Sequence, residues 1–358
     1  MFVSYVMVVF SVLAAIDRIL GNRFGIGKEF EKGFMLLGTM MLSMTGMIII
    51  SPFIADLLKP AFDGIYNLFG IDPSVIPATL FANDMGGAPL AMDVARNSEI
   101  GAFNAYVVSA MMGATISFTI PFALGIVKEN IKELIVGMLC GIVTIPVGSL
   151  VSGIIFGIKI KGLLLSLLPL TLFAIVIAVG LLKAPDLCVK IFKYFGFFIK
   201  VLITLGLALG ILKTLVDVEP IKGLESIESG AAVCVNASIV MSGAFPLMYI
   251  VSKVLNIPLT ALSKKIKINK TSAVGFVSTL ATNVTTFEML NSMDSKGAMY
   301  NSAFAVSAAF TFAGHLAFTM ANLPEYIPHM IVGKLVAGFT AILIAVPIYK
   351  RVFQNKTQ

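Results

Sequence analysis

The chain has 358 residues, of which 58% are hydrophobic and 13% are charged, and its formal net charge at pH 7 is +7. A soluble globular protein carries about 25% charged residues, so the composition excludes a water-soluble protein and predicts an all-α polytopic integral membrane protein. We attribute the positive charge to lysines in cytoplasmic loops and expect no nucleic-acid partner. The three cysteines form no Cys-x-x-Cys pair, so we expect neither a disulfide framework nor a metal site.

Apolar runs of roughly the length that crosses a bilayer, about 20 residues, recur along the whole chain. The first run lacks a basic segment and a small-residue cleavage site, so we interpret it as a span and not as a signal peptide. In chain order, the predicted spans are 1–16, 33–56, 102–126, 134–157, 162–182, 194–216, 231–252, 298–321 and 328–349. Two further apolar segments, 74–92 and 272–290, are interrupted by polar residues.

Two halves of the chain resemble each other. TLFANDMGGAPLAMD at 79–93 is matched by TLATNVTTFEMLNSMD at 279–294, and IVGMLCG in the first half is matched by IVGKLVAG in the second. An Asn followed by Val-Ser-Ala also comes after the first motif in both halves. We therefore predict two transmembrane repeats, 1–182 and 194–350, each with one interrupted segment, which is typical of secondary transporters.

The distribution of Lys and Arg indicates whether the interrupted segments cross the membrane. If both dip in and return, nine full spans remain, with 18 basic residues on the cytoplasmic side and five outside. If both cross, giving eleven spans, the counts are 12 and 11, and if one crosses the best split is 15 to 8. Because cytoplasmic loops carry the excess of basic residues, two re-entrant segments are favoured. They would enter from opposite sides, so the repeats would be inverted.

Asp84 lies in the first interrupted segment and is the principal candidate for a binding residue. Gly86, Gly87 and Pro89 follow it and favour a break in the helix, since two of them lack a Cβ and one lacks an N–H. A broken helix end exposes carbonyl dipoles that attract a cation. A charge at the bilayer centre costs at least about 2.5–3.5 kcal/mol, so we expect a cationic substrate or coupling ion to neutralise Asp84.

The alternative role for Asp84 is a structural ion pair inside the membrane. Its possible partners are Lys200, Lys213 and Lys334. All three fall near the ends of predicted spans, where a lysine side chain can extend to the interface. This placement favours the binding role.

Other polar residues of these segments and spans are candidates for substrate binding. Asn83 and Asn283 can donate and accept hydrogen bonds, or can cap half-helices. His315 lies inside a predicted span and either relays protons, orients the solute or is bonded to a neighbour. The remaining candidates are Thr282, Thr286, Glu288, Ser109 and Ser307.

Several of these acidic and hydroxyl residues also have a structural interpretation. Glu288 has no acidic counterpart in the first half and can equally lie at the membrane interface. Ser109 and Ser307 occupy matching positions and either line the path or allow close helix packing. Asp93 and Asp294 end the two segments and are interpreted as N-caps of the following spans.

Several motifs of the chain match those of a known family: TLFANDMGG at 79–87, the run NSAFAVSAAF with its following GHLAF, and the paired IVG segments. In these motifs the chain resembles the ethanolamine permease family of bacterial ethanolamine-utilisation operons. AAIDRIL, EKGFMLLG and GIVTIPVG also fit, so that the resemblance covers essentially the whole chain. The resemblance implies a multi-pass transporter of the cytoplasmic membrane that imports ethanolamine for a cobalamin-dependent lyase pathway.

The chemistry of ethanolamine agrees with the candidate residues. At neutral pH it is a protonated primary amine with a hydroxyl two carbons away, which suits Asp84 together with Asn or Thr side chains. An ion-coupled transporter or a channel for another small amine or amino acid remains the alternative. The chain contains neither an HExxH nor a G-x-S-x-G motif, so we expect no enzyme and no cofactor. The expected partners are the bilayer and the substrate, and a homo-oligomer is compatible with the sequence.

Overall fold

The computed structural model describes residues 2–354, apart from the side chains at 185, 189, 256–262, 264 and 354. Its helices are α1 (Phe2–Ile19), α2 (Ile26–Phe69), α3 (Val75–Leu80), α4 (Gly87–Val94), α5 (Ser98–Ile126), α6 (Ile131–Ile155), α7 (Ile160–Lys183), α8 (Pro185–Val216), α9 (Ile227–Ile266), α10 (Lys270–Ala281), α11 (Asn283–Met289), α12 (Ser295–Ala308), α13 (Gly314–Asn322) and α14 (Pro324–Phe353). Within this described part, eight helices are long and apolar enough to cross a membrane, namely α1, α2, α5 to α9 and α14. The predicted all-α polytopic membrane fold is confirmed.

The first interrupted segment forms a hairpin, α3–α4, whose two ends are bonded together. The Asp72 carboxylate accepts hydrogen bonds from the backbone N–H of Arg96 (3.1 Å) and of Asn97 (2.8 Å). It also accepts the backbone N–H of Ser74 at the start of the hairpin (3.0 Å). Both ends of the segment therefore lie next to Asp72, on the same side of the protein.

The second interrupted segment forms a second hairpin, α10–α11, which is closed in the same way. The backbone N–H of Asn269 donates to the carboxylate of Asp294 (2.8 Å), and its side-chain amide donates to the carbonyl of Ser292 (2.9 Å). Asp294 is also the N-cap of α12, as predicted, through the backbone N–H of Gly297. Both segments thus have the geometry expected of re-entrant hairpins.

The two hairpins start and finish at opposite ends of α5. Asn97, at the closed end of the first hairpin, immediately precedes α5. At the other end of α5, the backbone N–H groups of Lys128 and Glu129 donate to the side chain of Asn291 in the second hairpin. Because α5 crosses the structure as a helix of 29 residues, the hairpins have opposite orientations. The grouping of the chain into two inverted repeats stays a prediction.

The tips of the hairpins meet on one segment of α5. Ser117 accepts a hydrogen bond from the backbone N–H of Ala82 in the first tip (3.1 Å), and Thr119 accepts one from the side-chain amide of Asn283 in the second (2.9 Å). This segment, Thr115–Thr119, is wound in wide π turns. Hydroxyls that bond to carbonyls one turn back, as that of Ser117 does to Gly113, commonly distort helices.

The predicted span 298–321 is interrupted, in contrast to our expectation of a continuous helix. It consists of α12 and α13, separated by an irregular stretch in which Phe310 has a φ of 60°. The backbone N–H groups of Phe310 and Phe312 donate to the carbonyls of Thr279 and Leu280 at the end of α10. Non-helical backbone inside a membrane needs such protein partners. The predicted total of nine full spans stays a prediction.

The hairpins and α5 lie at the centre of the protein, behind helices that face lipid. α5 and α12 are almost entirely buried. α1, α7 and α8 instead expose apolar side chains such as Leu13, Leu168 and Phe197. This arrangement places the hairpin tips in the protein interior, where polar side chains are shielded from lipid.

Candidate cation site at the hairpin tips

The first hairpin breaks over residues 81–86, and the local backbone explains why. Phe81 and Ala82 are extended, Asn83–Met85 forms one 3-10 turn, and Gly86 has a φ of 99° before α4 begins. Only glycine adopts this left-handed conformation readily. A Cβ on Gly86 would also lie 1.9 Å from Cγ of Met47, so any other residue here would be strained by both the backbone and this contact.

The remaining two predicted break residues belong to α4. Gly87 is its first residue, and a Cβ there would lie 2.1 Å from both the Phe81 carbonyl and the Ser109 hydroxyl. Pro89 falls in the first turn of α4, where a helix does not use the backbone N–H. The Ser109 hydroxyl donates to the Phe81 carbonyl at 2.7 Å, so this side chain satisfies the opened backbone and is not free to bind a solute.

Asp84 lies in the 3-10 turn and is the first member of a chain of three ionisable side chains. Its carboxylate is 4.0 Å from Nε2 of His315 in α13. Nδ1 of the same ring is 3.0 Å from the ammonium nitrogen of Lys334 in α14, which also donates to the carbonyl of Ala110 at 2.6 Å. The helices thus bring together a carboxylate, an imidazole and an ammonium from three separate parts of the chain.

The three side chains differ in their access to water. Asp84 is 29% exposed, whereas the side chain of His315 is 3% exposed and Lys334 is 1% exposed. The carboxylate of Asp84 is therefore accessible to water, whereas the ammonium group of Lys334 is enclosed by protein. Lys334 does not extend to the interface, so the sequence-based interpretation of this lysine was wrong.

The donor roles assign the tautomer of His315. An ammonium group only donates hydrogen bonds, so Nδ1 accepts from Lys334. In the neutral ring, Nε2 then carries the hydrogen and faces the carboxylate of Asp84. The imidazole transmits the positive potential of the lysine toward Asp84 without a direct ion pair between the two charges.

Four further residues have buried polar side-chain atoms without a hydrogen-bond partner in the described part of the chain. Asn83 is fully buried, and neither its side-chain oxygen nor its nitrogen is bonded. The side-chain oxygens of Asn283, Ser307 and Thr319 are likewise buried and unpaired. An unpaired buried polar group costs about 1–3 kcal/mol, so a polar ligand that reached any of these atoms would relieve that cost.

The tip of the second hairpin borders a cavity of about 430 Å³. Thr282 and Thr285 line it, and Lys32, Lys253 and Lys270 stand among its other lining residues. The Thr282 hydroxyl accepts the backbone N–H of Val284 (3.2 Å) and caps α11. Thr282 and Thr285 are thus the hydroxyl residues of this tip that reach a cavity.

Two predicted residues of the second hairpin lie away from this cavity. Thr286 is fully buried, and its hydroxyl is 2.9 Å from that of Thr279 and donates to the carbonyl of Gly275 (3.2 Å). Glu288 is exposed on the surface and does not line the cavity. Sequence reasoning did not single out Ser117 and Thr119, although the alternating hydroxyl residues Thr115, Ser117 and Thr119 within one predicted span were a usable signal.

The sequence comparisons decide the family. A sequence model described as "Ethanolamine utilisation protein, EutH" matches residues 1–348. The chain belongs to this family. The predicted resemblance is confirmed, and it extends over nearly the whole chain.

Curated relatives of this EutH-family chain are similar over their whole lengths. "Probable ethanolamine permease EutH" of Listeria monocytogenes serotype 1/2a (strain 10403S) is 40% identical over 354 residues, covering 99% of this chain and 95% of the relative. A protein of the same name from Escherichia coli (strain K12) is 38% identical over 383 residues, covering 96% and 94%. "Uncharacterized protein YxeR" of Bacillus subtilis (strain 168) is 36% identical over 344 residues, covering 96% and 93%. No solved structure matches the chain.

Proposed function

We propose that this EutH-family protein is a permease of the bacterial cytoplasmic membrane that imports ethanolamine, and that Asp84 binds the ammonium group of the substrate. One observation carries the proposal. Asp84 is a partly exposed carboxylate at the tip of a broken hairpin, and the nearest basic nitrogen recorded for it is 4.0 Å away. A charge-assisted hydrogen bond is about 2.7–2.9 Å long, so the carboxylate has room for a cationic partner.

Asn83 is the proposed partner of the substrate hydroxyl. It precedes Asp84 directly, and both of its side-chain polar atoms are unpaired. A hydroxyl both donates and accepts, and an amide side chain offers one atom for each role. Because Asn83 and Asp84 share one 3-10 turn, the proposal assigns the two ends of this short substrate to neighbouring residues.

Lys334 and His315 set the charge balance of the site. Before substrate binds, the buried ammonium compensates part of the charge of Asp84 through the imidazole. A bound ethanolammonium then shares the carboxylate with this second positive charge. Its binding is thereby weakened, which speeds release of the substrate to whichever side the site faces.

The two ends of the protein differ in charge along the proposed path. A pocket of about 130 Å³ near Arg96, at the end of the first hairpin opposite its tip, is lined by Asp56, Asp63 and Asp93, with Lys59 and Arg96. Asp93 accepts a hydrogen bond from the Ser51 hydroxyl (2.7 Å). The N-cap of α5 is Asn97, so the prediction that Asp93 caps this helix was wrong. Acidic side chains at the outer end attract a cationic solute.

Under this proposal, the second hairpin controls the inner end. The lysine-bordered cavity leads to Thr282, on the side that the charge distribution assigns to the cytoplasm. We propose that the two hairpins act as corresponding parts of two inverted repeats, which rock against each other to expose the site alternately.

Uptake into proteoliposomes that contain the purified protein tests this function. We expect saturable uptake of radiolabelled ethanolamine, which unlabelled ethylamine inhibits weakly and the neutral diol ethylene glycol does not inhibit. Liposomes without protein are the control for passive entry of the free amine. Uptake equal to that control, or inhibition by ethylene glycol as strong as by ethanolamine, would overturn the proposal.

A further inference from the structure

Four lysines surround one end of an apolar groove that plays no part in the proposed transport site. The groove has a volume of about 610 Å³ and is formed by α9, α10, α12 and α14. Its basic residues are Lys265, Lys267, Lys296 and Lys350. Among the described residues that line it, none carries a carboxylate. From this combination we infer that the groove binds an anionic phospholipid, with the phosphate among the lysines and an acyl chain along the apolar wall.

The lysines meet the requirement for a phosphate headgroup. All four lie in segments that the charge distribution places on the cytoplasmic side, where a membrane-facing basic cluster attracts anionic lipid. Lys296 donates a hydrogen bond to the carbonyl of Ile266 and lies 5.7 Å from the ring centre of Tyr300, so it is held in place. Lys265, Lys267 and Lys350 are exposed and are free to approach a phosphate. A cluster of like charges without an acidic partner is stabilised by such an anion.

The wall of the groove meets the requirement for an acyl chain. The rings of Phe276 and Phe304 are 5.6 Å apart, and those of Phe304 and Phe339 are 5.5 Å apart. They form a continuous aromatic surface that crosses from α10 to α14. Phe339 is 57% exposed, so this surface is open on the side that faces the bilayer. A polar ligand would gain nothing from such a wall.

The groove also adjoins the second hairpin. Val277 of α10 lines both the groove and the cavity that leads to Thr282. Leu280, a second lining residue, supplies the carbonyl that accepts the backbone N–H of Phe312. A lipid in the groove would therefore pack against the helix that holds the irregular stretch between α12 and α13, and would brace the hairpin.

Native mass spectrometry of the purified protein, with added phosphatidylglycerol or phosphatidylcholine, tests this inference. We expect phosphatidylglycerol adducts that survive activation and a higher unfolding temperature, with little effect of the zwitterionic lipid. The variant K265Q/K267Q/K350Q should bind phosphatidylglycerol about a hundredfold more weakly, since each lysine near an anionic surface contributes separately. The control K59Q/K159Q/K161Q removes the same charge at the opposite end and should bind as the wild type does.

The variant K265R/K267R/K350R preserves the charge and should still bind phosphatidylglycerol. It keeps the test valid if K265Q/K267Q/K350Q folds poorly. Equal binding by the two glutamine variants would overturn the inference. So would equal binding of the two lipids. A disulfide between two copies that carry Phe339→Cys, formed in membranes and unaffected by phosphatidylglycerol, would also overturn it by assigning the groove to a second copy of the chain.

Discussion

The ammonium nitrogen of Lys334 lies 3.0 Å from Nδ1 of His315, inside the protein and ten residues from the start of α14 at Pro324. The side chain of Lys334 is 1% exposed and also donates to the carbonyl of Ala110, so it does not extend to the interface. The lysine is therefore committed to the interior, and its charge acts on Asp84 through the imidazole. Removing Asp84 or Lys334 leaves the opposite charge inside the protein without its compensating partner.

We predict that Lys334→Met destabilises the protein by about 2 kcal/mol or more, since it leaves the Ala110 carbonyl and Nδ1 of His315 without a donor. Thermal unfolding in detergent measures this. The control is Lys213→Met, which removes a half-exposed lysine paired with Glu219 at 3.0 Å and should cost about 0–1 kcal/mol. Equal losses of stability in the two variants would show that the buried contacts of Lys334 contribute no more than a surface ion pair.

Replacing Asn83 by leucine should stabilise the protein and impair substrate binding at the same time. Both side-chain polar atoms of Asn83 are buried and unpaired, so an apolar residue of similar size removes a cost of about 1–3 kcal/mol. Without the amide, affinity for ethanolamine should fall while affinity for ethylamine, which has no hydroxyl, stays the same. Thermal unfolding and competition binding measure the two effects. A parallel loss for both amines would remove Asn83 from recognition of the hydroxyl.

Gly86→Ala should destabilise the first hairpin through backbone strain and a steric clash. A non-glycine residue with a left-handed backbone costs about 1–3 kcal/mol, and the added methyl would overlap Met47. Gly125→Ala is the matched control, because a Cβ there meets no atom within 4 Å. Unfolding temperature and uptake rate should both fall in the first variant and stay unchanged in the second. If Gly86→Ala unfolds at the temperature of the wild type, the break does not depend on this conformation.

The re-entrant geometry predicts which cysteines a membrane-impermeant maleimide can label. Asn67 and Ser98 flank the first hairpin, and Lys270 and Ser292 flank the second; all four are exposed. Single cysteines at 67 and 98 should react in intact cells, and those at 270 and 292 only in inverted vesicles. The native cysteines, all buried, are replaced first. Labelling of two flanking positions from opposite sides would mean that the segment between them crosses the membrane.

Much of this architecture was readable from the sequence because it rests on local chemistry. The counts of Lys and Arg predicted two dips of opposite orientation, and the glycines after Asp84 predicted the position of the first break. The interruption between α12 and α13 was not predictable, since it depends on carbonyls of Thr279 and Leu280 that are distant in sequence. The role of Lys334 was missed for a similar reason. The predicted span 328–349 agrees closely with the helical stretch Ile327–Tyr349, but the sequence does not show that Lys334 turns inward to His315.

The candidate residues of the second hairpin show the same limit. Thr282 and Thr286 are equivalent in composition and only four residues apart. One reaches a cavity, and the other is bonded to Thr279 and Gly275 inside the hairpin. The direction of a side chain at a helix break depends on the irregular backbone there. A sequence pattern with a fixed period does not describe it.

Equilibrium binding of radiolabelled ethanolamine to the purified protein tests the central claim most directly. A hydrogen bond to a charged group contributes about 1.5–3 kcal/mol, so Asp84→Asn should weaken binding at least about tenfold. Glu288→Gln removes an exposed carboxylate of the second hairpin and should bind as the wild type does. Unchanged affinity in Asp84→Asn, with the loss appearing in Glu288→Gln or in neither variant, would contradict the assignment of Asp84 as the ammonium-binding residue.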